Sequence, residues 1–132
     1  MIVFQDERLE KYRSEVITAN YKEINERKHK FYVEHSLSYK EFFDPIYKIE
    51  MDELTKFYNE WESKEDWTYL RFIAIRQGKY VCVDNTIGHW FVEEYDSLEK
   101  AMLYFNSPID YEYLYHHSID ECLDYLENTL ER

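Results

Sequence analysis

Cys82, Asp84 and His89 are the residues whose types and spacing come closest to a catalytic site in this sequence. Nucleophilic catalysis requires a thiol or hydroxyl within hydrogen-bond reach of a base, and a hairpin through this segment would bring Cys82 near His89. However, Cys82 and Cys122 both fall in apolar patterns, where a thiol is usually buried and inert. The chain is either a small enzyme that uses Cys82 and His89 or a protein with two structural thiols, and we expect the second.

Other residue types that support catalysis or cofactor binding lack the spacing that such sites need. His116 and His117 are adjacent, so their side chains point in different directions and one metal ion seldom binds both. Glycine occurs only at positions 78 and 88, which excludes the P-loop and the G-x-G-x-x-G loop. Neighbouring acids such as Glu93 and Glu94 are expected by chance among 28 acidic residues. We predict no catalytic residue, no metal site and no cofactor.

The C-terminal third of the chain carries an unusual distribution of charge. Residues 101–131 contain seven acidic residues and no Lys or Arg. Asp120, Asp124, Glu127 and Glu131 follow one another at steps of four, three and four residues, which places them along one face of a helix. A row of carboxylates beside tyrosines resembles a row of phosphates beside stacked bases, and a cationic groove could accept it through Arg and Lys. An ordinary solvated helix face would carry the same pattern.

Tyrosine suits a protein interface because it buries a large area at a modest cost in entropy. The residues predicted to contact a partner are therefore the acids of this third and the tyrosines next to them: Asp110, Tyr111, Glu112, Tyr113, Asp120, Asp124 and Glu127.

Composition limits the class of protein and of partner. The 132 residues fit one domain, and an aromatic content of 19% is typical of a folded chain. The formal net charge of −12 repels nucleic acid and anionic membranes and attracts basic surfaces. The chain has neither a signal-peptide pattern nor a window of about 20 apolar residues. We therefore expect a cytoplasmic protein that binds neither nucleic acid nor membrane directly.

Helices are predicted for most of the first half of the chain. An imperfect amphipathic stripe runs from about residue 6 to 30, and a cleaner one over 50–63 includes Leu54, Phe57 and Trp61. Between them, Ser38 and Glu41 form a capping-box pattern that would begin a short helix. In the last third, one helix is predicted to begin at Asp96 or Ser97, and another at the Ser118 capping box. The conformation of residues 109–117 stays open.

Three β-rich runs lie between these helices. They cover about residues 67–75, 79–84 and 89–94, and they are separated by turn residues at 77–78 and 85–88. The pattern predicts a three-stranded antiparallel sheet over about 67–94. The fold class is therefore α+β, in one domain that is helical over 1–65 and combines a β-meander with helices over 66–132.

A local resemblance adds to this interpretation. The segments Tyr80-Val81-Cys82-Val83-Asp84-Asn85, Trp90-Phe91-Val92-Glu93-Glu94-Tyr95 and Leu98-Glu99-Lys100-Ala101, with Gly88 in the turn, form a strand, a turn, a strand and a helix. Residues 80–103 thereby resemble a unit of small acidic proteins from phages and mobile elements of Gram-positive bacteria. Some of those proteins are anti-CRISPR inhibitors, so the resemblance implies an inhibitor. It carries over no functional residue.

These observations favour a non-enzymatic inhibitor that binds a cationic nucleic-acid groove of a host CRISPR-type effector through its acidic surface. An immunity protein that neutralises a basic toxin would have a similar surface. A small enzyme built on Cys82 and His89 and a subunit of a larger assembly are further alternatives. The sequence leaves the target and the oligomeric state open.

Overall fold

The computed structural model of the chain describes residues 4–34, 44–63, 70–86 and 89–131, with the backbone alone for 31–34 and 60–63. The chain divides into two compact units. The first unit combines Met1–Ser14 with Tyr95–Arg132, and the second comprises Glu15–Glu94.

A five-stranded sheet runs through the second unit. Its strands follow the order β1-β2-β3-β4-β5, and β2 is parallel to both β1 and β3, whereas β3 and β4 are antiparallel. The bounds are Val16–Thr18 for β1, Ile46–Lys48 for β2, Arg71–Arg76 for β3, Lys79–Asp84 for β4 and Phe91–Tyr95 for β5. The α+β class is confirmed, but the sheet has five strands instead of the predicted three, and two of them run parallel to β3 and to each other.

The hairpin between β3 and β4 follows the predicted pattern closely. Ile73 pairs with Cys82, and the turn falls at Gln77 and Gly78, which both have positive φ angles of 53° and 77°. Two consecutive residues with positive φ match the twist of the strands that such a turn connects, and glycine adopts this conformation without steric cost. The predicted strand at 79–84 is confirmed, and the third predicted strand lies slightly later, at Phe91–Tyr95.

Two helices pack with the sheet in this unit. Helix α1 spans Tyr21–Glu34, and α2 spans Met51–Ser63, which confirms the predicted helix over 50–63. Phe57 of α2 lies 5.0 Å from Phe72 of β3, and Trp90 stacks at 6.0 Å from the same ring. The core cluster of the unit consists of Ile24, Tyr47, Ile49, Leu54, Phe57, Leu70, Phe72, Ala74 and Val83.

The prediction of one helix over about 6–30 is wrong. The chain forms a 3-10 helix at Glu7–Tyr12, then β1, and begins α1 at Tyr21. Val16, Ile17 and Thr18 are a β-branched run that favours a strand, although Val16 also falls on the helical stripe that suggested the single helix. Asn20 then begins α1, because its Oδ1 accepts from the Glu23 N–H at 2.9 Å while its Nδ2 donates to Glu23 Oε1 at 3.0 Å. The Ser38–Glu41 pattern lies outside the described residues.

The regular structure in the described part of the first unit is helical apart from the end of β5. After the 3-10 helix it contains α3 at Leu98–Asn106, α4 at Tyr111–His116, α5 at Ile119–Tyr125 and a turn of π-helix at Leu126–Leu130. Asn106 Nδ2 donates to the Tyr12 carbonyl at 2.7 Å and to Ser14 Oγ at 2.8 Å, which fixes α3 to the N-terminal segment. The buried apolar residues of the unit include Leu9, Tyr12, Ala101, Met102, Leu103, Leu114, Cys122, Leu123 and Leu126.

Candidate functional site

Two short capped helices position the residues predicted to contact a partner. The Asp110 carboxylate accepts from the Glu112 N–H at 2.7 Å and begins α4. Ser118 begins α5, because its Oγ accepts from the Glu121 N–H at 3.2 Å while Glu121 Oε1 accepts from the Ser118 N–H at 3.1 Å. The Ser118 capping box is therefore confirmed, and it lowers the pKa of Glu121 below its usual range. Residues 109–117, whose conformation was not predicted from the sequence, are mostly helical.

Helix α4 and the residue that caps its N-terminus expose both aromatic and acidic groups. Tyr111 and Tyr115 stand one helical turn apart, and 46% and 44% of their surfaces are exposed. Asp110 and Glu112 are exposed next to them. We call these four residues the α4 patch. Two amphipathic rings beside carboxylates form the kind of surface that binds cationic and apolar groups of another protein.

Tyr113 has a different environment from its neighbours. Its ring stacks on His117 at 3.7 Å and on Tyr125 at 4.3 Å between ring centroids, and it is only half-exposed. The His117 ring also contacts the Tyr113 carbonyl through Nδ1 at 3.0 Å. Tyr113 therefore joins α4 to α5, and this packing accounts for it without a partner.

The acidic row on α5 and the turn that follows it surrounds an arginine from the N-terminal 3-10 helix. Arg8 Nη1 donates to Asp124 Oδ1 at 2.7 Å, and its guanidinium lies 3.6 Å from Asp120 Oδ1 and 3.9 Å from Glu127 Oε1. The structure therefore brings three of the predicted contact residues together, but it brings them together around a cation of the same chain.

Asp6 holds that arginine in place. Its carboxylate begins the 3-10 helix by accepting from the Arg8 N–H at 3.0 Å, and it accepts from Arg8 Nη2 at 2.9 Å and from Nε at 3.2 Å. These bonds lower the pKa of Asp6 and, with the bond to Asp124, raise that of Arg8. Four carboxylates thus surround one guanidinium, and the formal charge of the group is −3. We call it the Arg8 cluster, and its members are Asp6, Arg8, Asp120, Asp124 and Glu127.

Glu131, the last acid of the row, is also engaged within the chain. It pairs with Lys11 and accepts from the Tyr12 hydroxyl at 2.5 Å, and these bonds lower its pKa. The row therefore ends in a second contact with the 3-10 helix, and the first unit joins both ends of the chain through charged groups.

Three residues of the Arg8 cluster and the α4 patch were not predicted from the sequence: Asp6, Arg8 and Tyr115. Arg8 and Asp6 lie more than 100 residues before α5, and no local pattern indicates which distant acid a basic residue contacts. Tyr115 was detectable, because its spacing of four from Tyr111 places both on one face once α4 is known to be helical.

Cys82, Asp84 and His89, the possible catalytic residues, have different environments, and His89 is exposed whereas Cys82 is buried. Cys82 is fully buried, its Sγ lies 3.7 Å from the Tyr80 carbonyl, and burial raises its pKa to about 12. Asp84 instead accepts from the Thr86 N–H at 2.9 Å and from its hydroxyl at 2.6 Å, which closes a turn. A thiol in this environment is protonated and shielded, which disfavours a nucleophilic role. Burial also raises the pKa of Cys122.

The second unit has several clefts of similar size, and one of them lies at the ends of β1 and β2. It encloses about 420 Å³, and its polar lining includes Thr18, Asn20, Glu23, Lys48 and Glu50. Acidic and basic groups both line it, so its charge does not favour one class of ligand. Within the described ranges, no group of three or more His, Cys, Asp or Glu residues has the arrangement of a metal site.

The comparisons with known proteins give no relative. No protein-family model, no curated protein and no solved structure matches the chain. In the part of the chain that the structure describes, no helix has both the length and the apolar character needed to cross a membrane.

Proposed function

We propose that this protein is a non-enzymatic inhibitor that binds a basic protein through the acidic helices of its first unit. The observation that carries the proposal is the α4 patch, where two exposed tyrosines and two exposed carboxylates occur on and next to one helix, in the same unit as the Arg8 cluster, whose formal charge is −3. Exposed aromatic rings next to unneutralised acids are expected where a cationic partner docks.

The distribution of charge supports this location. The first unit carries 12 acidic and 5 basic residues, a formal charge of −7, in 52 residues, whereas the second carries 16 acidic and 11 basic residues, a charge of −5, in 80. The first unit thus has more than twice the negative charge per residue. Such a surface steers a basic partner toward itself and accelerates the encounter.

More specifically, we propose that the basic partner is a nucleic-acid-binding effector of the CRISPR type and that the acidic surface occupies its cationic groove. Two features support it: the resemblance of residues 80–103 to small acidic phage and mobile-element proteins, and the likeness of a carboxylate row with tyrosines to a nucleic-acid strand. The same proposal places the protein in the cytoplasm of the host cell. It does not require the protein to bind nucleic acid or membrane.

The buried thiol weakens the enzymatic alternative. A reaction at Cys82 would require the thiolate, and burial in the sheet disfavours the charged form. The immunity-protein alternative shares the same surface and differs only in the identity of the basic partner.

Capture from a bacterial lysate tests the proposal. The tagged protein is incubated with lysate treated to remove nucleic acid, and bound proteins are identified by mass spectrometry at about 50 mM and 500 mM salt. We expect a basic nucleic-acid-binding protein at low salt, a weaker yield at high salt, and displacement of that protein by its own nucleic acid. Recovery of one small toxin would instead establish the immunity alternative. A captured protein that its nucleic acid does not displace would refute the proposal that the acidic surface occupies a nucleic-acid groove.

A further inference from the structure

Arg8 contacts acids that belong to the proposed binding surface. Three carboxylates of the proposed binding surface, those of Asp120, Asp124 and Glu127, lie within 3.9 Å of one guanidinium that the chain itself supplies. An arginine of a partner would donate hydrogen bonds to the same carboxylate oxygens in the same way. An incoming arginine would therefore compete with Arg8 for these acids.

Competition is possible because the contacts are accessible to solvent. The Asp120 side chain is 83% exposed, that of Asp124 is 64% exposed, and that of Glu127 is 48% exposed. Exposed ion pairs contribute little to stability and are weakened by salt. The contacts between Arg8 and these acids can therefore be exchanged without unfolding the helices.

Asp6 provides a place for Arg8 to remain during such an exchange. It accepts from both Nε and Nη2 of Arg8, and its position is fixed because it also begins the 3-10 helix. Arg8 can lose Asp124 and still keep a two-point contact with Asp6. The exchange would therefore free the acids of α5 while the N-terminal segment stays folded.

We propose that Arg8 is an internal competitor that masks the acidic face of α5 until arginine side chains of a partner replace it. This inference rests on the proposed function and names its regulation: partners with several closely spaced arginines displace Arg8, whereas isolated basic residues do not. Several arginines engage several acids at once, which raises their effective concentration at the surface.

The test uses hexa-arginine as the probe and a control variant with matched charge. Arg8→Gln and Lys11→Gln each remove one positive charge from the 3-10 helix, but only Arg8 contacts the acids of α5, since Lys11 pairs with Glu131. Dissociation constants are measured by isothermal titration calorimetry at low salt. We expect Arg8→Gln to bind hexa-arginine about fivefold more tightly than the wild type, equivalent to about 1 kcal/mol, and Lys11→Gln to differ from the wild type by less than about twofold.

Equal gains in the two variants would overturn the inference, because net charge alone would then explain them. If Arg8→Gln fails to fold by circular dichroism, Arg8→Lys provides the same test, since it keeps the charge but loses the planar fork and should bind more tightly than the wild type.

A second measurement separates this inference from the proposed function. The Nε–H resonance of Arg8 is followed by NMR in the wild-type protein during titration with hexa-arginine, and exchange predicts a shift that saturates with binding. A resonance that stays fixed while the probe binds would overturn the inference. The proposed function would then still be tested by the lysate capture. A saturating shift together with no captured partner would support the exchange and refute the function.

Discussion

Single residues decide how the acidic C-terminal third should be interpreted. The sequence of residues 101–131, taken without the rest of the chain, has seven acids and no Lys or Arg and predicts an acidic face without a cation. Arg8, 116 positions before Asp124, changes that face by contacting three of its acids. Asp110 and Glu112 lie outside the Arg8 cluster and remain exposed. The acidic residues among the predicted contacts therefore have two different environments, and only one includes an internal cation.

The burial of the two cysteine thiols can be tested directly. Cys82 has a pKa of about 12 and is fully buried, so at pH 8 only about one thiol in 10⁴ would be ionised, even without the steric protection. We expect neither Cys82 nor Cys122 to react with Ellman's reagent within an hour in the folded protein.

The control for this prediction is the same protein in 6 M guanidinium chloride, where both thiols should react at once. Rapid reaction of one thiol in the folded protein would contradict the burial described here and would reopen the catalytic alternative for Cys82.

At the scale of elements, the sequence predicts best where a pattern is local. The helix at Met51–Ser63, the strand at Lys79–Asp84 and the capping box at Ser118 were all predicted from neighbouring residues. Strands β1 and β2 were missed because each has three residues, too few for an alternating pattern, and each depends on pairing with a strand far away in the sequence. The Arg8 cluster escaped prediction for the same physical reason, since its contacts also join distant parts of the chain.

The Ser118 capping box gives a prediction at this scale. Ser118→Ala removes the side chain that accepts from the Glu121 N–H and leaves that donor without its cap. We expect a loss of about 1 kcal/mol in the free energy of unfolding, measured by urea denaturation with circular dichroism.

Ser118→Asp is the matched variant, because aspartate also caps helix N-termini and should keep the stability within about 0.5 kcal/mol of the wild type. Equal losses in both variants would show that the position tolerates no substitution for reasons other than capping.

The whole molecule combines a mixed sheet unit with a smaller, more acidic helical unit. The net charge of −12 alone would attract any basic protein at low salt. The proposed function requires more than this, because it places binding on particular residues of the first unit. A test of the whole molecule must therefore compare variants that have the same net charge as each other but carry the altered charges in different units.

Two double variants meet that requirement. Glu112→Lys with Asp120→Lys reverses exposed acids of the first unit, and Glu26→Lys with Glu50→Lys reverses exposed acids of the second. Each pair changes the net charge by the same amount. The affinity of both for the partner captured from lysate is measured by biolayer interferometry at about 150 mM salt, after circular dichroism has shown that both are folded.

We expect the variant of the first unit to bind more than tenfold more weakly than the wild type, a loss of more than about 1.4 kcal/mol, because partner cations would meet lysines. The variant of the second unit should stay within about threefold of the wild type, since it changes only the long-range field. Equal losses in both variants, or no loss in the first, would contradict the claim that the acidic helices of the first unit form the binding surface.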